Sequence, residues 1–362
     1  MLGRDQAGRA GLPAARQAIN LPSFKLRGEP RASICARLAG VAWGKDIMRG
    51  IELYAPREAR HRRTWTWAII PMLLVFIIAG EGLATESASL LKLDLNDGQE
   101  PWWEIAYSLV FGFGLAAVLL LAWVRLFERR PFKAIGLNGD GMARLLRGYL
   151  TGLCFLAIVV GGIWILGGYR VEASGAFLAP SPAAAFGALG VLLLGFIIQG
   201  STEELLMRGW VMQLIASRYG LVAGIVFHSL VFSILHAANI APSVELAFGL
   251  LNIVLVGIFL GLYAAREQSL WGVCGWHAAW NWLLGLGFGL EVSGKVIDTP
   301  PLIVDLKTNQ AVPWWLTGGM FGPEASVLTT MLLIAGTIWL LRRHQGTGHA
   351  VSTKEARATG QV

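Results

Sequence analysis

The strongest constraint in this chain is a recurrence of apolar stretches, each long enough to cross a lipid bilayer. A helix needs about 20 mainly apolar residues to cross the hydrocarbon. Backbone in lipid must also satisfy its own hydrogen bonds, and segments of this length do so as helices. The stretches run roughly over 65–90, 103–127, 146–167, 184–216, 221–240, 244–265, 270–290 and 323–342. The expected fold is therefore all-α, a polytopic integral membrane helical bundle with about eight transmembrane helices. Composition excludes the soluble alternative. Only 15% of the residues are charged and 55% are hydrophobic, whereas about a quarter of a soluble domain is charged. The 45 Gly and 15 Trp also suit membrane helices and their interfaces. Cys35, Cys154 and Cys274 show no CxxC spacing, so neither a disulfide framework nor a zinc ribbon is expected.

Charge orients the bundle. Residues 1–63 hold 13 Lys/Arg against 5 Asp/Glu. Such an arm could bind nucleic acid, but it has no clustered aromatics and no recognisable fold, so no nucleic-acid partner is expected. The positive-inside rule instead places it in the cytoplasm. No apolar core of a signal peptide lies between Met1 and Arg63, and Met48 is an alternative start. The basic loop RLFERRPFKAIGLNGDGMARLLR and the pair Arg342–Arg343 fall on the same side. The acidic loop KLDLNDGQEPWWE falls on the other side, together with loop 291–322, which is expected against the bilayer surface. Both termini are then cytoplasmic, and the membrane is expected to be a bacterial inner (plasma) membrane. The chain divides into a basic arm at 1–63, expected to be disordered, a transmembrane domain at 64–345 and a short tail at 346–362. The fourth stretch, 33 residues from Ala184 to Ala216, would be about 50 Å of helix. That length leaves the depth of its acids open.

Ionisable side chains in such helices cost a few kcal/mol each and face the bundle interior or a watery cavity. Glu81 and Glu86 lie near the end of the first stretch and are expected to mark a helix contact. The others gather between 203 and 281: Glu203, Glu204, Arg208, His228, His236, His277 and Asn281. Residues four apart share a helix face, so Glu204 pairs with Arg208 and Glu203 points about 100° away. The same spacing joins Phe232 to His236 and His277 to Asn281. A carboxylate in a partly dry cavity can act as a base on water, and a nearby imidazole can share that water or its proton. A second imidazole with an amide can stabilise an oxyanion. Glu203, His236 and His277 are equally a possible three-ligand zinc set, although HExxH is absent. His228 and Asn252 are expected to hydrogen-bond between helices, and Cys274 to fill space.

TEELLMR, FSILH and HAAWN, in that order on separate apolar segments, resemble the CAAX protease and bacteriocin-processing (CPBP, or Abi-like) family of intramembrane proteases. The resemblance covers about 125–290, including the loop RPFKAIGLNG. It implies a metalloprotease or glutamate protease with Glu203 activating water, Glu204 beside it and Arg208 as ionic partner. It further implies His236 assisting the water and His277 with Asn281 forming the oxyanion site. Met207 departs from the family, which often carries an aromatic residue there. The resemblance implies membrane lipid and a membrane-bound peptide or protein as partners, with zinc as the one cofactor in question. A proton-coupled carrier or a catalytically idle scaffold would use the same residue types. A carrier should show inverted repeats or paired broken helices, and neither is evident.

Overall fold

All eight stretches fold as helices in the computed structural model, which describes residues 50–91 and 101–342. Five are long and apolar enough to cross a membrane: α1 (Thr66–Leu90), α2 (Trp102–Phe127), α3 (Gly141–Ile165), α4 (Pro182–Tyr219) and α6 (Val244–Glu267). The other three are shorter. α5 is Leu221–Leu235, α7 is Trp271–Trp282 continued by a π-helical turn at Leu283–Gly287, and α8 is Val327–Arg342. The 15 residues of α5 make only about 22 Å of helix, less than the hydrocarbon thickness. α5 ends at Leu235 rather than 240, because Pro242 and the turns before it cannot continue the helix. α6 restarts the chain at Ser243, whose hydroxyl caps the Leu246 N–H at 3.1 Å.

α4 is the axis of the bundle. Its 38 residues are interrupted by a π-helical turn at Leu205–Val211, every residue of which is buried. α3 and α7 cross with almost no separation. A Cβ at Gly148 would overlap the Gly272 carbonyl, and one at Gly275 would overlap the Leu145 carbonyl. Small residues at such crossings let backbones approach where lipid supplies no hydrophobic drive.

The two ends of the bundle differ. At one end residues 50–64 dock onto α4. The Ile51 N–H donates to Ala216 O at 2.9 Å, the Leu53 N–H to Gln213 Oε1 at 2.9 Å, and the Tyr54 hydroxyl to Arg208 O at 3.0 Å. Glu52 then gathers Arg57 at 2.7 Å, Arg130 at 3.0 Å and Gln213 at 2.6 Å. Burial lowers the Arg130 pKa from its ordinary value, and Glu52 opposes that. The last part of the basic arm is thus a packed strap. Residues 1–49, the acidic loop at 92–100 and the tail from 343 lie outside the described residues.

At the other end the chain departs from pure helix. β1 (Tyr169–Ser174) and β2 (Val304–Thr308) form an antiparallel ribbon, bulged between Val171 and Ala173. Loop 291–322 therefore does more than lie along a surface: it supplies β2. Further on, Asn252 is the interhelical anchor expected of it, donating to Glu324 O at 2.7 Å and accepting from the Thr330 hydroxyl at 2.7 Å.

The α3–α7 crossing yields a direct test. Gly148→Val or Gly275→Val must push the two backbones apart, and overpacking of this kind costs about 1–3 kcal/mol. Thermal melting in detergent should show a clear loss for both variants, with no loss for Gly82→Ala, a position whose added Cβ would meet nothing.

Candidate active site

The six residues singled out by spacing converge, but in two layers. The buried layer is an ion pair within α4. Arg208 Nη1 donates to Glu204 Oε1 at 2.8 Å, and both side chains are fully buried. The same carboxylate oxygen receives His277 Nδ1 of α7 at 2.8 Å. A carboxylate oxygen accepts only, so the Nδ1 position carries a proton and its tautomer is fixed. The Arg208 guanidinium lies 4.6 Å over the Phe232 ring of α5. That ring meets His236 edge-on at 4.8 Å and His277 at 6.1 Å.

The second layer faces a cavity of about 550 Å³ lined by Glu203, His236, His277, Asn281, Gln199 and Glu81, among others. Glu203 Oε1 accepts from Gln199 Nε2 at 2.8 Å. Its Oε2 is buried, has no protein hydrogen-bond partner and stands 3.5 Å from His277 Nε2. Asn281 Nδ2 donates to Gln199 Oε1 at 3.0 Å. His236 caps the C-terminus of α5 and directs Nδ1 at Phe232 O, 2.8 Å away. A carbonyl cannot donate, so Nδ1 carries the hydrogen and the Nε2 of the neutral ring is left as an acceptor.

Two placements differ from the sequence reading, and that of Glu81 is extended. His277 is not simply Asn281's companion: it stands between the two glutamates, one ring nitrogen toward each. Glu81 makes the helix contact expected of it, accepting weakly from the Ser108 hydroxyl of α2 at 3.4 Å, and it also lines the cavity. His228 makes no interhelical hydrogen bond. It is fully buried with both ring nitrogens unpartnered, packed where a Cβ at Gly261 would strike it. Gln199 was the residue missed. Its signal was present in the run FIIQG, as a lone carboxamide one turn before Glu203 in an otherwise apolar helix.

Two imidazole nitrogens in the donor set remain for a zinc ion, the Nε2 atoms of His236 and His277. A catalytic zinc site needs three converging protein ligands with an open position. His277 Nδ1 is engaged by Glu204 and His236 Nδ1 by a backbone carbonyl, an arrangement that fixes each ring and leaves Nε2 as a ligand atom. Among the described residues no three His, Cys, Asp or Glu side chains are grouped to hold a metal. Cys274 is buried and packs as a filler.

Residues 185–283 match the family model described as type II CAAX prenyl endopeptidase Rce1-like. The match runs from α4 into α7 and contains every motif residue from Glu203 to Asn281, so the resemblance carried by TEELLMR, FSILH and HAAWN is borne out over this segment. No curated protein matches the chain, and no solved structure does.

The two layers should respond differently to substitution. Arg208→Ala leaves the Glu204 carboxylate buried without its cation, a loss of about 3–5 kcal/mol that thermal or denaturant unfolding would register. Gln199→Leu removes one hydrogen bond to Glu203 and one from Asn281, so a loss of about 1–3 kcal/mol is expected, smaller than that of Arg208→Ala in the same assay.

Proposed function

We propose that this chain is an intramembrane endopeptidase that hydrolyses a peptide bond of a membrane-associated peptide or protein with water activated by Glu203. The observation that carries this reading is the free, buried Oε2 of Glu203 beside His277, in a cavity large enough for an extended peptide segment. The family match over the same residues supports it.

The chemistry follows from the donors and acceptors. A water at Glu203 Oε2 gives one hydrogen bond to that oxygen and the other to the acceptor Nε2 of His236. Its lone pair is then directed at the scissile carbonyl carbon. As the C–O bond forms, Glu203 takes the proton, and His277 Nε2 accepts a hydrogen bond from the newly neutral carboxyl group. Glu204 and Arg208 hold His277 in the tautomer this requires. The oxyanion takes a hydrogen bond from the amide hydrogen of Asn281 that Gln199 does not use. When the C–N bond breaks, Glu203 returns its proton to the leaving amine, so one water is consumed and a carboxyl and an amine are released.

Glu203→Gln keeps the side chain's shape and removes the base. General-base catalysis is worth about 10²–10⁴-fold, and processing should fall by that amount in membranes from cells expressing the variant, read by comparing membrane-peptide profiles with wild type. His236→Ala should fall by a smaller factor. If both variants insert normally and still process at the wild-type rate, the protein is a carrier or a scaffold and the hydrolytic reading is wrong.

A further inference from the structure

The strap and the end of α2 bring together cations that the fold leaves unpaired. The strap runs back beside α2, where the Arg62 N–H donates to Glu128 O at 3.0 Å and Trp123 Nε1 to the Thr64 hydroxyl at 2.9 Å. The ring of Phe127 is the centre of this contact. The Arg62 guanidinium lies 5.9 Å over it, Trp65 packs on it at 5.8 Å and Trp123 stacks on it at 4.1 Å. Arg125 and Arg129 flank Phe127 in the chain, and both are exposed, as are Arg62 and Arg63. Two segments distant in sequence thus set four exposed arginines within a few residues of one aromatic ring.

The acids of these segments do not neutralise them. Among the described residues Arg62, Arg125 and Arg129 make no ion pair, and Arg63 reaches Glu52 only at 4.0 Å. Glu128 is fully buried and turned inward, accepting from the Thr64 hydroxyl at 2.6 Å and from Trp210 Nε1 at 3.2 Å. Glu58 is held by Arg60 at 2.9 Å, and Glu52 by Arg57 and Arg130. Residues 1–49 hold nine Lys/Arg against three acids, so their charge adds to the surplus instead of cancelling it.

The same surface is apolar beside its charges. Trp67 is 75% exposed, Leu126 75% and Trp65 55%, at the ends of the strap, α1 and α2. Indoles at the end of a membrane-crossing helix sit at the level of the lipid headgroups. Arginine is the cation best shaped to grip phosphate oxygens in pairs. A small soluble anion would engage the guanidinium groups and leave the indoles without a partner, whereas an amphiphile with an anionic head engages both. We infer that the strap and the end of α2 form a binding site for an anionic phospholipid. Its phosphate bridges the strap arginines to those of α2, and its acyl chains lie against Trp65, Trp67 and Leu126. The lipid then fastens from outside the strap whose Tyr54 holds the Arg208 carbonyl.

Thermal melting of the full chain in a neutral detergent, titrated with lipid, tests the site. Phosphatidylglycerol should raise the melting temperature saturably, and phosphatidylcholine at the same mole fraction should not. Arg62→Gln and Arg125→Gln should each need about fivefold more phosphatidylglycerol for half the shift, the factor expected for one charge near an anionic surface. Should either variant fail to fold, Arg129→Gln carries the same comparison, since that side chain makes no hydrogen bond or ion pair among the described residues. Arg342→Gln is the control. It removes an exposed charge from the end of α8, which packs on α3 and α6, and it should titrate as wild type. An equal shift with phosphatidylcholine, or an equal weakening by Arg342→Gln, overturns the site by showing that lipid or net charge acts without it. Inorganic phosphate that reproduces the whole shift overturns the lipid as the occupant. Arginine variants that titrate as wild type overturn the inference outright.

Discussion

The Glu204–Arg208 pair is the interaction on which the site depends. Either charge alone would cost the bundle a few kcal/mol. Placed one turn apart on the same helix, the two neutralise each other before any other helix has docked. α4 can thus enter the membrane carrying its own counterion. When α7 packs against it, the same Glu204 oxygen has a second role, accepting His277 Nδ1. Phe232 completes the arrangement by laying its ring under the guanidinium and its edges toward both histidines. Glu204 Oε2, Arg208 Nε and Arg208 Nη2 remain without protein partners. The pair is therefore incompletely satisfied, and a buried pair of that kind is a cost to the fold rather than a source of its stability. Its value lies in holding one imidazole in one tautomer, facing Glu203.

That division of labour separates two adjacent glutamates by environment alone. Glu204 faces arginine and a ring N–H and is closed from the cavity. Glu203, about 100° round the helix, meets a neutral carboxamide on one oxygen, while the other is buried 3.5 Å from His277 Nε2 without a hydrogen bond. One is an orienting charge and the other has a lone pair to give.

Helix spacing made much of this legible in sequence, because residues four apart meet whatever the rest of the fold does. The Glu204–Arg208 pair and the shared face of His277 and Asn281 are of this kind. Gln199 obeyed the same rule, yet one carboxamide in an apolar run carries little weight until its two partners are known. What spacing could not supply is contact between distant segments. β1 and β2 pair across some 130 residues, and Glu324 reaches Trp280 and Ser293 through loops without periodicity. The short α5 was hidden for a related reason. Its apolar run continues to the histidine, but backbone turns rather than hydrophobicity decide where the helix stops.

The strap and the π-helical turn belong to the same physical problem. A π-helical turn widens the helix and interrupts its regular hydrogen bonding, and such turns recur at functional sites. Here the wide turn begins at Leu205, directly after Glu204, and includes Arg208. Backbone buried in protein has no water to satisfy it, so any freed carbonyl must find a protein donor. The Tyr54 hydroxyl is such a donor, at 3.0 Å from Arg208 O. Burial pushes the Tyr54 pKa far up, so the hydroxyl stays protonated and keeps donating. The strap that closes the basic end is therefore also what steadies the backbone carrying the arginine. Closing one end of the bundle and steadying the helix that carries Arg208 are two consequences of a single packed segment.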